Sequence, residues 1–556
     1  MKTLNKILII LLIASPVYFV GCDDLLDVDS TRMVTDEEYG SSTKDTLYST
    51  FGILSQLQKL ADSYVLLGEL RADLLDVTET SDLSLKEINN FNVSKNNPYA
   101  NIYDYYAVIN SCNYLIHNID SAVVDKGQKL NLRHYAAIKS IRAWTYMQIA
   151  LNFGSVNYTD KPILTVKDTE YSNELNFDQL ADVLISELSP LKEVTLPNIG
   201  RIGSYDVRTS YFPIRFLLGD LYLWKGEYQK AAQEYYDLMY ENGLIVNQGV
   251  TSSWNVVNNT IGTYANLNWN SALSVGWSDV ISAITCPTQY GQRSDLDSLN
   301  MQKQFAPTAQ ALSNWDNQTY FLNEQSNMLG DLRKYGSVWW QEKVYPNSGT
   351  TVIFNKGEDV AKHYYIMKYM RYRQSESETY RPLNIPVYRV ALLYLRYAEA
   401  VNRLNKPNLA FAVLKSGLSS QNYMLGKGFV PSEIDSLSLS YTDFSNTRFS
   451  NNAGIRMRGL GNTQNDTTFY RFATQPNMQD SVLYVENLIE QELALETAFE
   501  GNRFHDLMRI AFRRMKTGEG DESYLADKVA AKHVNNQAAI RTKLLNSQNW
   551  YIKTGN

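Results

Sequence analysis

Cysteine is nearly absent: Cys22, Cys112 and Cys286 are the only three in 556 residues. So few cannot staple a fold, which excludes a disulfide scaffold and leaves a packed core to supply stability. The sequence leaves open whether Cys112 and Cys286 pair. Histidine is almost as scarce. His117, His134, His363, His505 and His533 are the full set, and no two stand at ligand spacing, so no metal site is expected. The chain has no HExxH, no CxxC pair, no GxSxG elbow and no Walker glycine loop, so neither an enzymatic centre nor a cofactor is expected. Basic excess is missing too. A net charge of −7 argues against nucleic acid, which needs basic patches to neutralise phosphate.

Long apolar runs are limited to one, at the start: KILIILLIASPVYFVGCDDLLDVDS from Lys6. The run is shorter than the roughly 20 residues that cross a bilayer, and Pro16 interrupts it. Lys2 and Lys6 precede it and Gly21 ends it. That is the layout of a secretory signal over 1–21. Cys22 then sits where a bacterial lipobox places its acylated cysteine, so Cys22 is the expected lipidation point. With no second such run, any membrane attachment is expected to pass through that residue.

What remains has the composition of an ordinary globular protein, 44% hydrophobic and 20% charged. It is longer than the roughly 250–300 residues at which one core stops growing, so packed subdomains are expected. Tyrosine (39) outnumbers phenylalanine (19), with nine tryptophans besides; such amphipathic rings suit partly wet, ligand-facing surface. In FPIRFLLGDLYLWKGEYQKAAQEYYDLM, Leu217, Leu221 and Trp224 recur at helical spacing, Gly226 breaks the run, and Ala231, Tyr235 and Leu238 resume it. VALLYLRYAEAVNRLNKPNLAFAVLKSGL repeats the plan with Leu393, Tyr397, Ala400 and Leu404 before Pro407. Gly219 to Ala231 and Ala398 to Ala410 share one offset, that of tetratricopeptide-like helix pairs. Further helices are predicted over Leu132–Phe153 and Val485–Phe499. Long insertions rich in Asn, Ser, Thr and Gly separate these pieces, at 242–362 and 419–480, and insertions of that length are usually functional.

Three polar clusters invite a chemical reading. Glu500, Arg503, His505, Asp506 and Arg509 lie close together, but Glu500–Arg503 and Asp506–Arg509 are at i, i+3, the spacing of structural ion pairs. GIRMRGLGN (454–462) is a turn whose Arg456 and Arg458 are expected to pair with acids rather than hold an anion. SDLDS, with Asp295 and Asp297, lacks the rest of an EF-hand and reads as a solvated turn.

Four segments together resemble the SusD/RagB family of nutrient-binding outer-membrane lipoproteins. They are CDDLLDVDS from Cys22, IYDYYAVINSCNYLIHNI with IRAWTYMQIALNFGSVNY, IPVYRVALLYLRYAEAVNRL, and ELALETAFEGNRFHDLMRI. Tyr99 stands where many members carry a tryptophan. The resemblance implies a mostly α fold, a tetratricopeptide-like scaffold of about four helix pairs with long irregular loop insertions. It implies an N-terminal region over 22–240, a loop-rich insertion bearing the ligand face over 241–380, and a C-terminal region over 381–556. It further implies a non-catalytic protein on the outer face of the outer membrane, held by a lipid on Cys22. Such a protein captures oligosaccharide and delivers it to a SusC-like TonB-dependent transporter. Peptide cargo, or a helical scaffold binding only protein, are the alternative readings. The ligand residues implied are an aromatic platform of Tyr290 and Trp315 with Tyr99 nearby, and Asp73 or Arg373 as hydrogen-bonding partners; the 339–340 tryptophan pair lies on the same loops.

Overall fold

Asparagine side chains start the helices where the sequence turns from loop to apolar period. Asn101 accepts from the Tyr103 amide, Asn477 accepts from that of Asp480, and Asn176 forms a capping box with Gln179. The computed structural model describes residues 43–124, 127–198, 200–202, 205–247, 279–286, 294–323, 326–339, 363–370, 383–424, 432–434, 440–459 and 470–553, and short pieces at 256–257, 260–261, 346–347 and 351–352. The apolar leader, Cys22, Tyr290 and Arg373 lie outside the described residues.

The scaffold helices, in chain order, are α1 (Thr43–Leu57), α2 (Ala61–Glu69), α3 (Ile102–Asn118), α4 (Leu130–Phe153), α5 (Phe177–Leu188), α6 (Ile214–Lys225), α7 (Tyr228–Asn242), α8 (Val390–Arg403), α9 (Pro407–Lys415), α10 (Met478–Glu496) and α11 (Arg503–Thr517). The fold is mostly helical, as expected. Hairpins α3/α4, α6/α7 and α8/α9 are the clear pairs, and α10/α11 forms a looser fourth. α5 bridges α4 to α6, and α7 packs directly on α8 despite the long insertion between them. Each helix thus covers the apolar face of the next, as a helix-pair array requires. One contiguous cluster of buried side chains runs from Ile53 to Ile552.

The α6/α7 crossing shows why a small residue stands at 219. A Cβ there would lie 2.3 Å from Cε1 of Tyr235. That ring cannot yield easily, because its hydroxyl donates to Asp220 at 2.6 Å and Phe216 packs against it edge-on. Gly226, with φ +80, then closes α6 in the left-handed conformation glycine adopts freely.

Two helices differ from expectation in an instructive way. α10 begins seven residues earlier than predicted: Met478 and Val482 extend the apolar period of Val485 and Ile489 back to the Asn477 cap. α8 was expected to bury one face, yet every residue from Val390 to Asn402 is buried. Helices pack on it from several sides, and a helix so enclosed need not be amphipathic.

The insertions are less irregular than expected. Strand β1 (Leu75–Val77) pairs antiparallel with β3 (Phe305–Pro307), Leu75 opposite Pro307. Strand β2 (Val280–Cys286) pairs antiparallel with β4 (Leu383–Arg389), Cys286 opposite Leu383, and β4 leads straight into α8. Among the described residues these ladders have two strands each. Cys112 and Cys286 are separate buried thiols, and burial pushes the Cys112 thiol up to about 12.

Three histidines are buried, and this makes stability depend on pH. Burial lowers His134 to about 4; burial with the charge of Lys532 lowers His533 to about 3. Burial, then Arg71, Arg509 and Arg396, hold His505 well below its ordinary value. All three are neutral in the fold and regain their ordinary basicity on unfolding. Their contribution is complete above pH 6.5 and is lost as pH falls below it. Glu69 acts in the opposite sense: burial raises it to about 7, so the fold gains from its proton as pH falls from 7. The raised carboxyls of Asp220 and Glu492 act with Glu69. The histidines are expected to outweigh them, so folding stability, read from the urea midpoint, is expected to fall between about pH 6.5 and pH 5. An unchanged midpoint over that range would show that these imidazoles are not held neutral.

Candidate ligand-binding site

The charged C-terminal motif is the densest polar cluster in the molecule, and it is interior. Buried carboxylates project from α10 and the turn after it. Glu496 accepts from Arg389 at 3.1 Å, Arg458 at 2.6 Å and Arg333 at 3.2 Å. Glu500 receives Lys368 at 2.5 Å and both Nε and Nη2 of Arg389. On the other side, Glu399 of α8 is held by Arg509 and Arg513 of α11. Burial disfavours the charged carboxylate at Glu399, yet the neighbouring guanidiniums outweigh it and hold the group well below the ordinary range. These side chains meet protein groups of opposite charge from other segments, so the cluster fastens those segments together.

The i, i+3 readings fare differently. Asp506 and Arg509 do pair, at 3.0 Å. The expected Glu500–Arg503 pair does not form, because Gly501 (φ +90) ends the turn and α11 starts only at Arg503. That turn is clasped by α2: Glu69 accepts from the Gly501 amide at 2.7 Å and the Phe499 amide at 3.1 Å. A Cβ on Gly68 would strike the Gly501 carbonyl at 1.9 Å, so the backbones touch.

Two implied ligand residues belong to this interior and are corrected. Asp73 is 4% exposed and takes Arg503 in a bidentate pair, 2.7 Å at each oxygen. Burial alone would raise its carboxyl, but the Arg503 charge and hydrogen bonds keep it below its ordinary value. It has no free acceptor edge for a sugar hydroxyl. Trp315 is 1% exposed, near the end of the helix Ala309–Asp316. Its Nε1 donates to the Leu495 carbonyl at 3.1 Å and its ring lies against Phe499. It is a core tryptophan and presents no stacking face.

Arg458 pairs with acids as read, whereas SDLDS is no solvated turn: it opens the helix Leu296–Met301, with Ser294 and Leu296 buried. Arg458 pairs with Asp279 and Glu496. Arg456 is sandwiched between the rings of Tyr320 and Tyr470, at 4.3 Å and 4.2 Å, and donates to Gln318 and the Thr319 carbonyl. In SDLDS the Asp295 amide and the Ser294 hydroxyl donate to Asp62. No group of metal-ligating side chains occurs among the described residues.

Tyr99 alone of the implied platform is described and remains available. It sits in the short turn Pro98–Ala100, held by Asn97, whose side chain accepts the Tyr99 amide and donates to the Ser84 carbonyl and to Glu87. The ring is half-buried, with one side packed on the core. Burial, then the charges of Asp295, Asp82 and Asp62, raise its hydroxyl above the ordinary phenol range. Those three carboxylates were not singled out beside Tyr99 by sequence reasoning, since they are spread over more than 230 positions. The segment carrying Asp82 is pinned to the 302–304 turn: Thr78 and Thr80 donate to the Lys303 carbonyl, and the Asp82 amide donates to Gln304. Tyr103 and Leu83, next along the chain, are exposed large apolar side chains. Tyr99 thus presents a half-buried ring on a negatively charged part of the surface.

The architecture defines a class: a helix-pair array with inserted loops, shared with SusD superfamily structures. A SusD superfamily protein from Bacteroides vulgatus superposes with a TM-score of 0.59 at 16% identity, over 92% of this chain and 96% of that one. A SusD-like carbohydrate binding protein from Bacteroides fragilis gives 0.56 at 13% identity, over 86% and 88%. Surface glycan-binding protein A from Bacteroides uniformis gives 0.55 at 15% identity, over 92% and 96%. Residues 228–416 match the SusD family profile. A SusD-like protein of Formosa agariphila is 25% identical over 224 residues, covering 39% of this chain and 42% of that relative's length. This chain therefore has the fold of the SusD superfamily structures and carries a SusD family match over residues 228–416.

Proposed function

We propose that this chain is a non-catalytic surface lipoprotein, anchored through Cys22 in the outer membrane, that captures oligosaccharide and passes it to a SusC-like TonB-dependent transporter. The observation that carries the reading is Tyr99, a half-buried ring in a negatively charged surround to which Asp62, Asp82 and Asp295 contribute, in a chain of SusD fold. A pyranose offers an apolar C–H face to such a ring and hydroxyls to such carboxylates. Relatives of the same fold are named for carbohydrate and glycan binding. Tyr290 and Arg373 complete the proposed site. No helix among the described residues is long and apolar enough to cross a membrane; one acyl chain anchors weakly, so the proposal requires the several chains of a bacterial lipoprotein.

Isothermal titration against a panel of neutral glycans and a peptide pool tests the cargo. Tyr99→Ala is expected to weaken glycan binding by roughly 1–3 kcal/mol, the worth of one buried aromatic face, in a variant that stays folded with a modestly lower melting temperature, since one side of the ring packs on the core. Binding of peptides alone, or glycan binding indifferent to Tyr99→Ala, would defeat the reading. Cys22→Ala is expected to release the protein from membranes, and co-purification of the wild type with the transporter tests delivery.

A further inference from the structure

A cleft of about 1190 Å³ shares no residue with the Tyr99 turn. Its walls are the C-terminal end of α4, the start of α5, the α6/α7 turn, one face of α11 and the tail at 548–553. Six aromatic side chains, Phe153, Phe177, Trp224, Tyr228, Phe512 and Tyr551, line it half-buried. Trp144, Trp315 and Trp550, by contrast, are fully buried. The rings are held in place: Phe177 packs on Trp224 at 5.1 Å, Arg509 sits 5.6 Å from Trp224, and Phe512 packs on Trp550 at 4.8 Å. Rigid, half-wet rings around a cleft of ligand size suit a flat apolar partner with a polar rim.

The charge at this cleft runs against that of the whole chain. Lys225, Arg509, Arg513, Lys516 and Lys553 line it against a single acid, Asp178. Three of the five cations are countered from behind: Lys225 by Asp182 and Glu227, Arg509 by Glu399 and Asp506, Arg513 by Glu399 and Glu486. Lys516 and Lys553 are exposed and have no ion-pair partner among the described residues.

We infer that this cleft is a second binding site, for a saccharide segment carrying carboxylate or sulfate groups. Its rings would take the pyranose faces, and Lys516 and Lys553 would take the anionic groups. The choice of a saccharide rests on the function proposed above; the choice of an anion rests on the lining charges.

The test is isothermal titration of the mature chain with an oligogalacturonate, a heparin-derived oligosaccharide, the neutral oligogalactose and a polyglutamate peptide. It is run on the wild type, on Tyr99→Ala, and on the double variant Lys516→Glu with Lys553→Glu. At least one acidic saccharide is expected to bind the wild type and Tyr99→Ala alike, and to bind less tightly as salt screens the lysines. The double variant alters only exposed side chains; it is expected to lose about tenfold or more in affinity for that saccharide, with its melting temperature and neutral-glycan binding kept. The inference is overturned if neither acidic saccharide binds, if oligogalactose or polyglutamate binds this cleft as tightly, or if the lysine reversals change nothing. Loss of the acidic ligand in Tyr99→Ala would assign it to the other site, and would leave the oligosaccharide reading standing while removing the second cleft.

Discussion

Replacing Glu496 with alanine is expected to cost about 3–5 kcal/mol of folding stability, the usual penalty for breaking a buried ion pair from one side. Its carboxylate is the shared acceptor of Arg333, Arg389 and Arg458, all 0–1% exposed at the side chain. Each guanidinium keeps another acid: Asp331 for Arg333, Glu500 for Arg389 and Asp279 for Arg458. The variant therefore leaves one uncompensated positive charge spread over three groups. Those arginines come from separate insertions and from β4, so the damage is expected where these meet α10. A lowered urea midpoint, with faster proteolysis at the insertions than within α6–α9, is the expected outcome. A loss under about 1 kcal/mol would mean that the remaining acids and water satisfy the arginines, and the cluster would not be the fastening it is argued to be.

Trp315→Ala is expected to be as damaging, at about 3–5 kcal/mol, because a buried indole leaves a large cavity. It also removes the hydrogen bond to the Leu495 carbonyl and the contact with Phe499. Trp315→Phe keeps most of the volume and should retain the fold at reduced stability. Glycan affinity measured on that folded variant is expected to equal the wild type. A Trp315→Ala protein that melts normally but binds glycan poorly would reverse the assignment and return the residue to the platform.

The fate of Trp315 and Asp73 shows where sequence reasoning loses hold. A tryptophan flanked by Asn and Asp reads as surface, yet here its neighbours form one exposed side of a short helix while the indole turns inward. Asp73 follows Arg71 and Ala72 with nothing local to mark it as buried. Its partner Arg503 lies 430 positions away, and no spacing rule joins them. Tyr99 was implied by the family resemblance, and the structure places it half-buried in the Pro98–Ala100 turn. The carboxylates around it, and the cleft lined by Trp224 and Phe512, are assembled from distant segments and had no signature to find.

Helix pairs, their breaks at Gly154 and Gly226, and the small residue at 219 were legible in the amino-acid sequence. They depend on caps, period and size, which act within a few residues of one another. Only the tertiary structure decided which charged residues are interior, that α8 is covered on all sides, and which rings face solvent. Burial is a property of what packs against a residue from elsewhere in the chain. An arginine that would cost several kcal/mol to bury alone is stable inside when a carboxylate from a remote segment meets it.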